Sequence, residues 1–107
     1  MSDSQSPADL KLDEALQVPT AFGPVIDNRA KHRFELQVNG STAFLVYERT
    51  DDALTLIHTE VPPALRGHHV GDAIVEAVLR AGHSAGLRII PVCPFVRAYL
   101  RKHPSAL

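Results

Sequence analysis

Between His32 and Ala85 the spacing of apolar residues changes at the pair Pro62-Pro63. From His32 to this point apolar and polar residues alternate in short runs, which predicts half-buried strands. After it, apolar residues recur every three or four positions from Val70 to Ala85, which predicts an amphipathic helix closed near Gly86. A chain with this order is expected to pack a helix on strands that precede it, so the pattern indicates a mixed α/β fold.

A turn dipeptide, Asn39-Gly40, separates the first two alternating runs. Asn and Gly tolerate the positive φ that both central positions of a type I′ turn require. The run that begins at His32 and the run Ser41 to Arg49 are therefore predicted to form a hairpin.

A third strand is predicted from Leu54 to Val61, with Leu54, Leu56 and His58 on one face and Thr55, Ile57 and Thr59 on the other. Pro62-Pro63 ends this strand.

Beyond the amphipathic helix, the apolar run Leu87 to Val92 predicts a fourth strand, parallel to the third because a helix connects them. Cys93-Pro94 is expected to open a second helix, since a proline at the first helical position loses no hydrogen bond. His103-Pro104 is expected to end it.

These predictions give an α/β (α+β) fold, with a mainly antiparallel four-stranded sheet flanked by two helices in the order β-β-β-α-β-α. Residues 1–27 contain three prolines and no clear period, so we expect a flexible N-terminal tail with one short helical turn around Leu10 to Leu16. Residues 28–107 are expected to form the domain.

Composition narrows the class of protein. A chain of 107 residues supports one domain, and a formal charge of -1 lacks the positive field that binds nucleic acid non-specifically. Cys93 is the single cysteine, so no disulfide forms within the chain, which suits a reducing, cytoplasmic location. No basic, apolar leader and no run of about 18 apolar residues is present, so neither export nor membrane insertion is indicated.

The segment Arg66 to Gly71 lies between a predicted strand and the start of the predicted helix. Unpaired N–H groups and the positive end of the helix dipole meet at such a place, and glycines let an anion approach the backbone. An ordinary strand-to-helix turn explains the same spacing about equally well.

The wider pattern resembles the GNAT superfamily of N-acetyltransferases, and within it a minimal acetyltransferase-like family of about this length. The resemblance covers about His32 to Pro104. Its motifs are His58-Thr59-Glu60-Val61, Arg66-Gly67 with Gly71, Pro91-Val92-Cys93-Pro94-Phe95-Val96, Tyr99 and His103-Pro104.

The resemblance implies that coenzyme A binds between the third and fourth strands, which splay apart. The superfamily has Arg or Gln first, Gly fourth and Gly or Ala sixth in its diphosphate loop. Arg66 and Gly71 match this pattern, whereas His69 replaces the fourth-position glycine. Val61, Pro62, Leu65 and Val70 would line the approach to the loop. The cofactor-binding residues implied are Thr59, Val61, Arg66, Gly67, His68, His69, Val70, Gly71, Asp72 and Cys93.

Acetyl transfer needs a neutral amine, and a lysine-like amine with a pKa of about 10.4 is mostly charged at neutral pH. His58 is the first choice for the general base, with a buried structural histidine as an equal alternative. Glu60 is a second choice. Cys93 is a candidate proton donor or nucleophile, with an inert core residue as the alternative. Tyr99 is a further candidate donor whose alternative is a packing role.

The function expected from this resemblance is acetyl-CoA-dependent N-acetylation of an amine, possibly on a protein, by direct transfer. A non-catalytic coenzyme A-binding module that acts through a protein partner is the alternative. His68 and His69 are adjacent and have no Cys or His partner at zinc-site spacing, so no metal is expected. We expect no nucleic-acid or membrane partner, and a monomer or weak dimer.

Overall fold

The structure is a computed structural model that describes residues 17–106. Six strands form one sheet in sequential order. Their bounds are Gln17–Thr20 (β1), Gly23–Asn28 (β2), Arg33–Val38 (β3), Ser41–Arg49 (β4), Ala53–Glu60 (β5) and Arg88–Pro91 (β6). Two α-helices, Val70–Ser84 (α1) and Pro94–Lys102 (α2), follow β5 and β6 respectively.

The mixed α/β class and the parallel pairing of β5 with β6 are confirmed, and all other neighbouring strands pair antiparallel. The predicted count of four strands and the order β-β-β-α-β-α are wrong. Residues 17–28 form β1 and β2 instead of the loosely held tail that was predicted. The helical turn predicted around Leu10 to Leu16 lies outside the described residues.

The hairpin between β3 and β4 has the predicted turn. Asn39 and Gly40 have φ of 51° and 80°, the left-handed values that a type I′ turn requires. Phe34 and Leu36 of β3 pair with Leu45 and Ala43 of β4, and all four side chains are buried. This register places one face of the hairpin in the core.

The core lies between one face of the sheet and the helices. Val70, Ile74 and Val78 of α1 are almost fully buried, because apolar residues at three- and four-residue spacing share one helical face. Val96 of α2 joins the same apolar cluster. We call the opposite sheet face, which carries Pro24, Ile26, Arg33, Glu35, Phe44, Val46, Glu48, His58 and Glu60, the open face.

A β-bulge interrupts the pairing of β4 with β5. Val46 pairs with His58 and Tyr47 pairs with Leu56, so Ile57 has no residue opposite it. An extra residue in a strand reverses the alternation of side chains beyond it. The prediction that His58 shares a face with Leu54 and Leu56 is therefore wrong, and His58 lies on the open face.

Candidate functional site

The parallel strands β5 and β6 separate at Leu56. The backbone amides of Val92 and Cys93 both donate to the Leu56 carbonyl, at 3.0 and 2.8 Å, and the chain then turns into α2. Strand β5 continues to Glu60 without further pairing to β6. The two strands thus leave an opening at their carboxyl ends, where α/β proteins commonly bind ligands.

A cavity of about 230 Å³ lies at this end of β5. It joins the end of the strand, the loop that follows, the first turn of α1 and the start of α2. Pro62, which was expected beside it, is not among its lining residues. These are Val61, Leu65, Arg66, Gly67, His69, Val70, Gly71, Asp72 and Phe95.

The loop before α1 is tied to the end of β5 and turns sharply before the helix. The Nε atom of Arg66 donates a 2.9 Å hydrogen bond to the Val61 carbonyl, which ties the loop to the end of β5. Gly67 and His69 both have positive φ, 82° and 63°, so the backbone turns sharply twice before the helix begins. His69 and its neighbour His68 are exposed, and Nδ1 of His69 lies 3.5 Å from the Asp72 carboxylate.

The first turn of α1 has free donors beside this cavity. The first amides of a helix have no partner within the helix, and no side chain caps this end of α1. Val70, Gly71 and Asp72 of this turn all line the cavity. An anion bound here would accept from these amides and meet the positive end of the helix dipole, although the Asp72 carboxylate opposes it.

Gly71 is buried against the ring of Phe95. A Cβ atom at position 71 would lie 2.6 Å from Cζ of Phe95 and 3.2 Å from Cγ2 of Val61. The missing side chain therefore lets the ring pack directly on the helix. Phe95 belongs to the motif that carries the resemblance, but it was not among the predicted site residues. Its place directly after Pro94, at the start of a helix next to the strand opening, is the signal that it lines the cavity.

His58 and Glu60 form a pair on the open face. Nε2 of His58 lies 2.7 Å from Oε1 of Glu60, and the two side chains are 59% and 48% exposed. Because a carboxylate only accepts, the hydrogen-bond partner assigns the proton to Nε2 in the neutral ring. Nδ1 is then the free acceptor. The alternative of a histidine buried under the sheet does not fit this exposure.

Cys93 and Thr59 lie on the core side of the same strand opening. Sγ of Cys93 is 3.4 Å from Oγ1 of Thr59, and Cys93 is only 2% exposed. The residue caps α2 without a side-chain hydrogen bond to the helix. Cys93 is not among the residues that line the cavity.

Tyr99 lies on α2, one turn after Phe95. It lines a separate groove between the helices, together with Glu76 and His103. Its ring stacks on that of His103 with centroids 4.3 Å apart. Burial raises the pKa of the phenol, and the carboxylates of Glu76 and Asp72 add to the rise. Tyr99 is thus protonated at neutral pH and does not line the cavity at the strand opening.

Within residues 17–106, no three His, Cys, Asp or Glu side chains lie close enough together to hold a metal ion. In the same range, no helix is both long and apolar enough to cross a membrane.

A mixed sheet whose parallel pair opens beside an uncapped helix start defines an α/β protein with a cavity at its strand ends. Residues 33–107 match the family described as GCN5-related N-acetyl-transferase, and the chain belongs to this family. It is also similar to Protein NATD1 of Xenopus tropicalis, with 27% identity over 89 residues that cover 80% of this chain and 82% of the relative. Protein NATD1 of Mus musculus is 29% identical over 80 residues, covering 72% and 73%.

Proposed function

We propose that this chain transfers acetyl from acetyl-CoA directly to an amine, on a protein or peptide. Membership of the N-acetyltransferase family supports the reaction class. The observation that carries the proposal is the opening of β5 from β6 at Leu56, next to the uncapped start of α1. In this arrangement a bound acetyl-CoA would have its thioester at the strand opening and its diphosphate at the helix start.

The residues of the cavity fit coenzyme A. The diphosphate would be held by the backbone amides of Val70, Gly71 and Asp72. The preceding loop residues Arg66, Gly67, His68 and His69 would complete this binding site. Val61 and Thr59 lie where β5 continues past β6, so the pantetheine arm would run beside them. When bound, acetyl-CoA would supply the acetyl group as a reactive thioester.

His58 is the proposed general base. Glu60 accepts from Nε2–H, which leaves Nδ1 on the open face to take a proton from the incoming ammonium group. The neutral nitrogen would attack the thioester carbonyl carbon, forming the N–C bond as the C–S bond breaks, and it would lose its second proton to solvent. Cys93 and Tyr99 do not line the cavity, so we assign protonation of the departing thiolate to solvent as well.

A second candidate function is a coenzyme A-binding module that works through a protein partner without catalysis. The observation that favours it is the position of the predicted proton donors. Cys93 is buried, and Tyr99 lies in another groove, so a single histidine is left to catalyse the transfer.

Two measurements separate these functions. Calorimetric titration with coenzyme A tests the cavity, and loss of binding in Arg66→Ala with retention in Arg97→Ala, an exposed arginine outside the cavity lining, would locate the site. Incubation of the full chain with labelled acetyl-CoA and a lysine peptide tests transfer. Binding with release of free thiol supports the enzyme, binding with background release supports the module, and absence of binding removes both.

We also propose a cytoplasmic location and a monomer or weak dimer. A single cysteine that is buried needs no oxidising compartment. Size-exclusion chromatography with light scattering tests the oligomeric state.

A further inference from the structure

His58 is accessible from the open face, on which its side chain is 59% exposed. The bulge at Ile57 turns His58 away from the core, and Cys93 occupies the core side of the strand opening. If His58 is the base, as proposed above, the amine must approach across the open face. The other side chains of that face are then part of the acceptor site.

A row of paired residues leads across the sheet from Glu60, the hydrogen-bond partner of the proposed base. Glu60 pairs with Phe44, Phe44 with Glu35, and Glu35 with Ile26. Paired residues point to the same face, and neighbouring strands lie about 4.8 Å apart. The row therefore reaches roughly 10 Å from Glu60 to Glu35 and roughly 14 Å to Ile26.

A groove of about 450 Å³ lies at the far end of this row. Its walls are mostly apolar, and Ile26 is 38% exposed in it. Two polar side chains, Glu35 and Gln37, close its inner side. The lining residues are Phe22, Gly23, Pro24, Ile26, Glu35 and Gln37.

Glu35 has an oxygen that is unused within residues 17–106. Arg33 Nε and Asn28 Nδ2 both donate to Oε2, at 2.6 and 3.1 Å, and no described donor reaches Oε1. Burial alone would raise the pKa of Glu35, but these hydrogen bonds outweigh it and the pKa lies below its ordinary value. The group is therefore a carboxylate at neutral pH with one acceptor oxygen free beside an apolar groove.

The charge of this face favours a cation. Within β2 to β5 it carries three carboxylates, on Glu35, Glu48 and Glu60, against the guanidinium of Arg33. That guanidinium is already held by Glu35 and by the ring of Phe44, 4.2 Å from its centroid. A long side chain with an apolar stem and a cationic head matches both the apolar walls and the free oxygen.

We infer that the open face binds an extended peptide whose arginine or lysine side chain enters the groove of Phe22, Ile26 and Glu35. An extended chain advances about 3.4 Å per residue, so this basic residue lies about three or four positions from the acetylated amine. The inference rests on the proposed acetyltransferase function, and it names the substrate class: a peptide with a basic residue at a fixed distance from its acceptor.

Matched peptides test this inference. Each carries one lysine acceptor and, four positions away, either arginine or its neutral isostere citrulline. We expect kcat/KM of the full chain to be about tenfold higher for the arginine peptide. Glu35→Gln should remove this preference, and Ile26→Ser should weaken it without changing the Arg33–Glu35 pair. Glu48→Gln, an exposed carboxylate of the same face outside the groove, should keep the preference.

Equal kcat/KM for the two peptides would overturn the inference and leave acetyl transfer intact. NMR titration with the arginine peptide gives a readout that needs no turnover. Shifts of the amides of residues 22, 23, 25, 26 and 35 without acetylation would support the peptide site and remove the proposed reaction. Acetylation without shifts at these amides would support the reaction and remove the peptide site. The absence of both shifts and acetylation would remove both proposals.

Discussion

The hydroxyl of Tyr47 donates a 2.5 Å hydrogen bond to the carboxylate of Asp27, and both residues are buried. Tyr47 is on β4 and Asp27 on β2, so the bond spans β3 between them. Arg29 is the other polar neighbour of the carboxylate, with Nε 3.6 Å away. The pair holds β2 in the sheet. The same strand carries Pro24 and Ile26, which line the groove of the open face.

Tyr47→Phe should lower the free energy of unfolding by about 1.5–3 kcal/mol, because a buried carboxylate loses its hydrogen-bond donor while the aromatic packing stays. Chemical denaturation measures the change. Combined with Asp27→Asn, the loss should be smaller than the sum of the single losses, since the partners are coupled. Strictly additive losses would contradict this assignment.

Stability should fall at alkaline pH because of the same pair. Burial raises the pKa of Tyr47, and the Asp27 hydrogen bond and charge add to the rise. The folded-state pKa lies above the unfolded value of about 10, so this contribution is complete below about pH 10 and is lost as the pH rises further. Above about pH 10, denaturation midpoints should decline more steeply for the native sequence than for Tyr47→Phe, whereas below about pH 10 the two should run parallel. Identical slopes would rule out this role.

His58→Ala should lower kcat by about 100-fold or more, the usual contribution of a general base, with little change in KM for acetyl-CoA. His83→Ala is the matched control, since His83 is exposed near the opposite end of α1. A mutant that keeps the native kcat would show that His58 is not the base.

Gly82→Ala and Gly71→Ala should differ in the sign or the size of their effect on the free energy of unfolding. A Cβ at Gly82 would lie 2.7 Å from the half-buried Ile89 and 3.3 Å from the buried Leu54, and such overpacking costs about 1–3 kcal/mol. At Gly71 the closest atom belongs to Phe95, which is 40% exposed and can turn away, while alanine gains up to about 1 kcal/mol in helix propensity. Thermal melts compare the two, and equal losses would contradict the distinction.

Cys93→Ala should keep most of the transfer activity and lower stability by about 1 kcal/mol, because a buried side chain with a contact to Thr59 is lost. The native thiol should react with iodoacetamide only as the protein opens. Rapid labelling of the folded chain, or abolished transfer in the mutant, would restore Cys93 as a catalytic candidate.

Some of the site follows from local pattern. The Asn39-Gly40 turn, the apolar stripe of α1 and the glycines of the loop after Arg66 all depend on neighbours within a few residues. These local patterns therefore predict a loop between the end of a strand and the N-terminus of a helix.

The sequence did not predict β1 and β2. In β2 the usual placement of apolar residues inside and charged residues outside is reversed. In β2 the apolar Ile26 is exposed and the charged Asp27 is buried, and Asp27 is stabilised there by Tyr47, 20 positions away. Pro19 of β1 pairs with Pro24 of β2, and prolines within a segment argue against a strand when only the sequence is considered. No short window of sequence contains the partner that makes this strand stable.

The sequence by itself determined the order of helices and strands from β3 onward and the resemblance to acetyltransferases, because period, turn residues and motifs are local. Only the tertiary structure decided which way His58 points, since the bulge at Ile57 exists through pairing with β4. It likewise decided that Cys93 is buried and that Glu35 keeps an oxygen free beside Ile26. Each of these depends on contacts between strands that are distant in the chain.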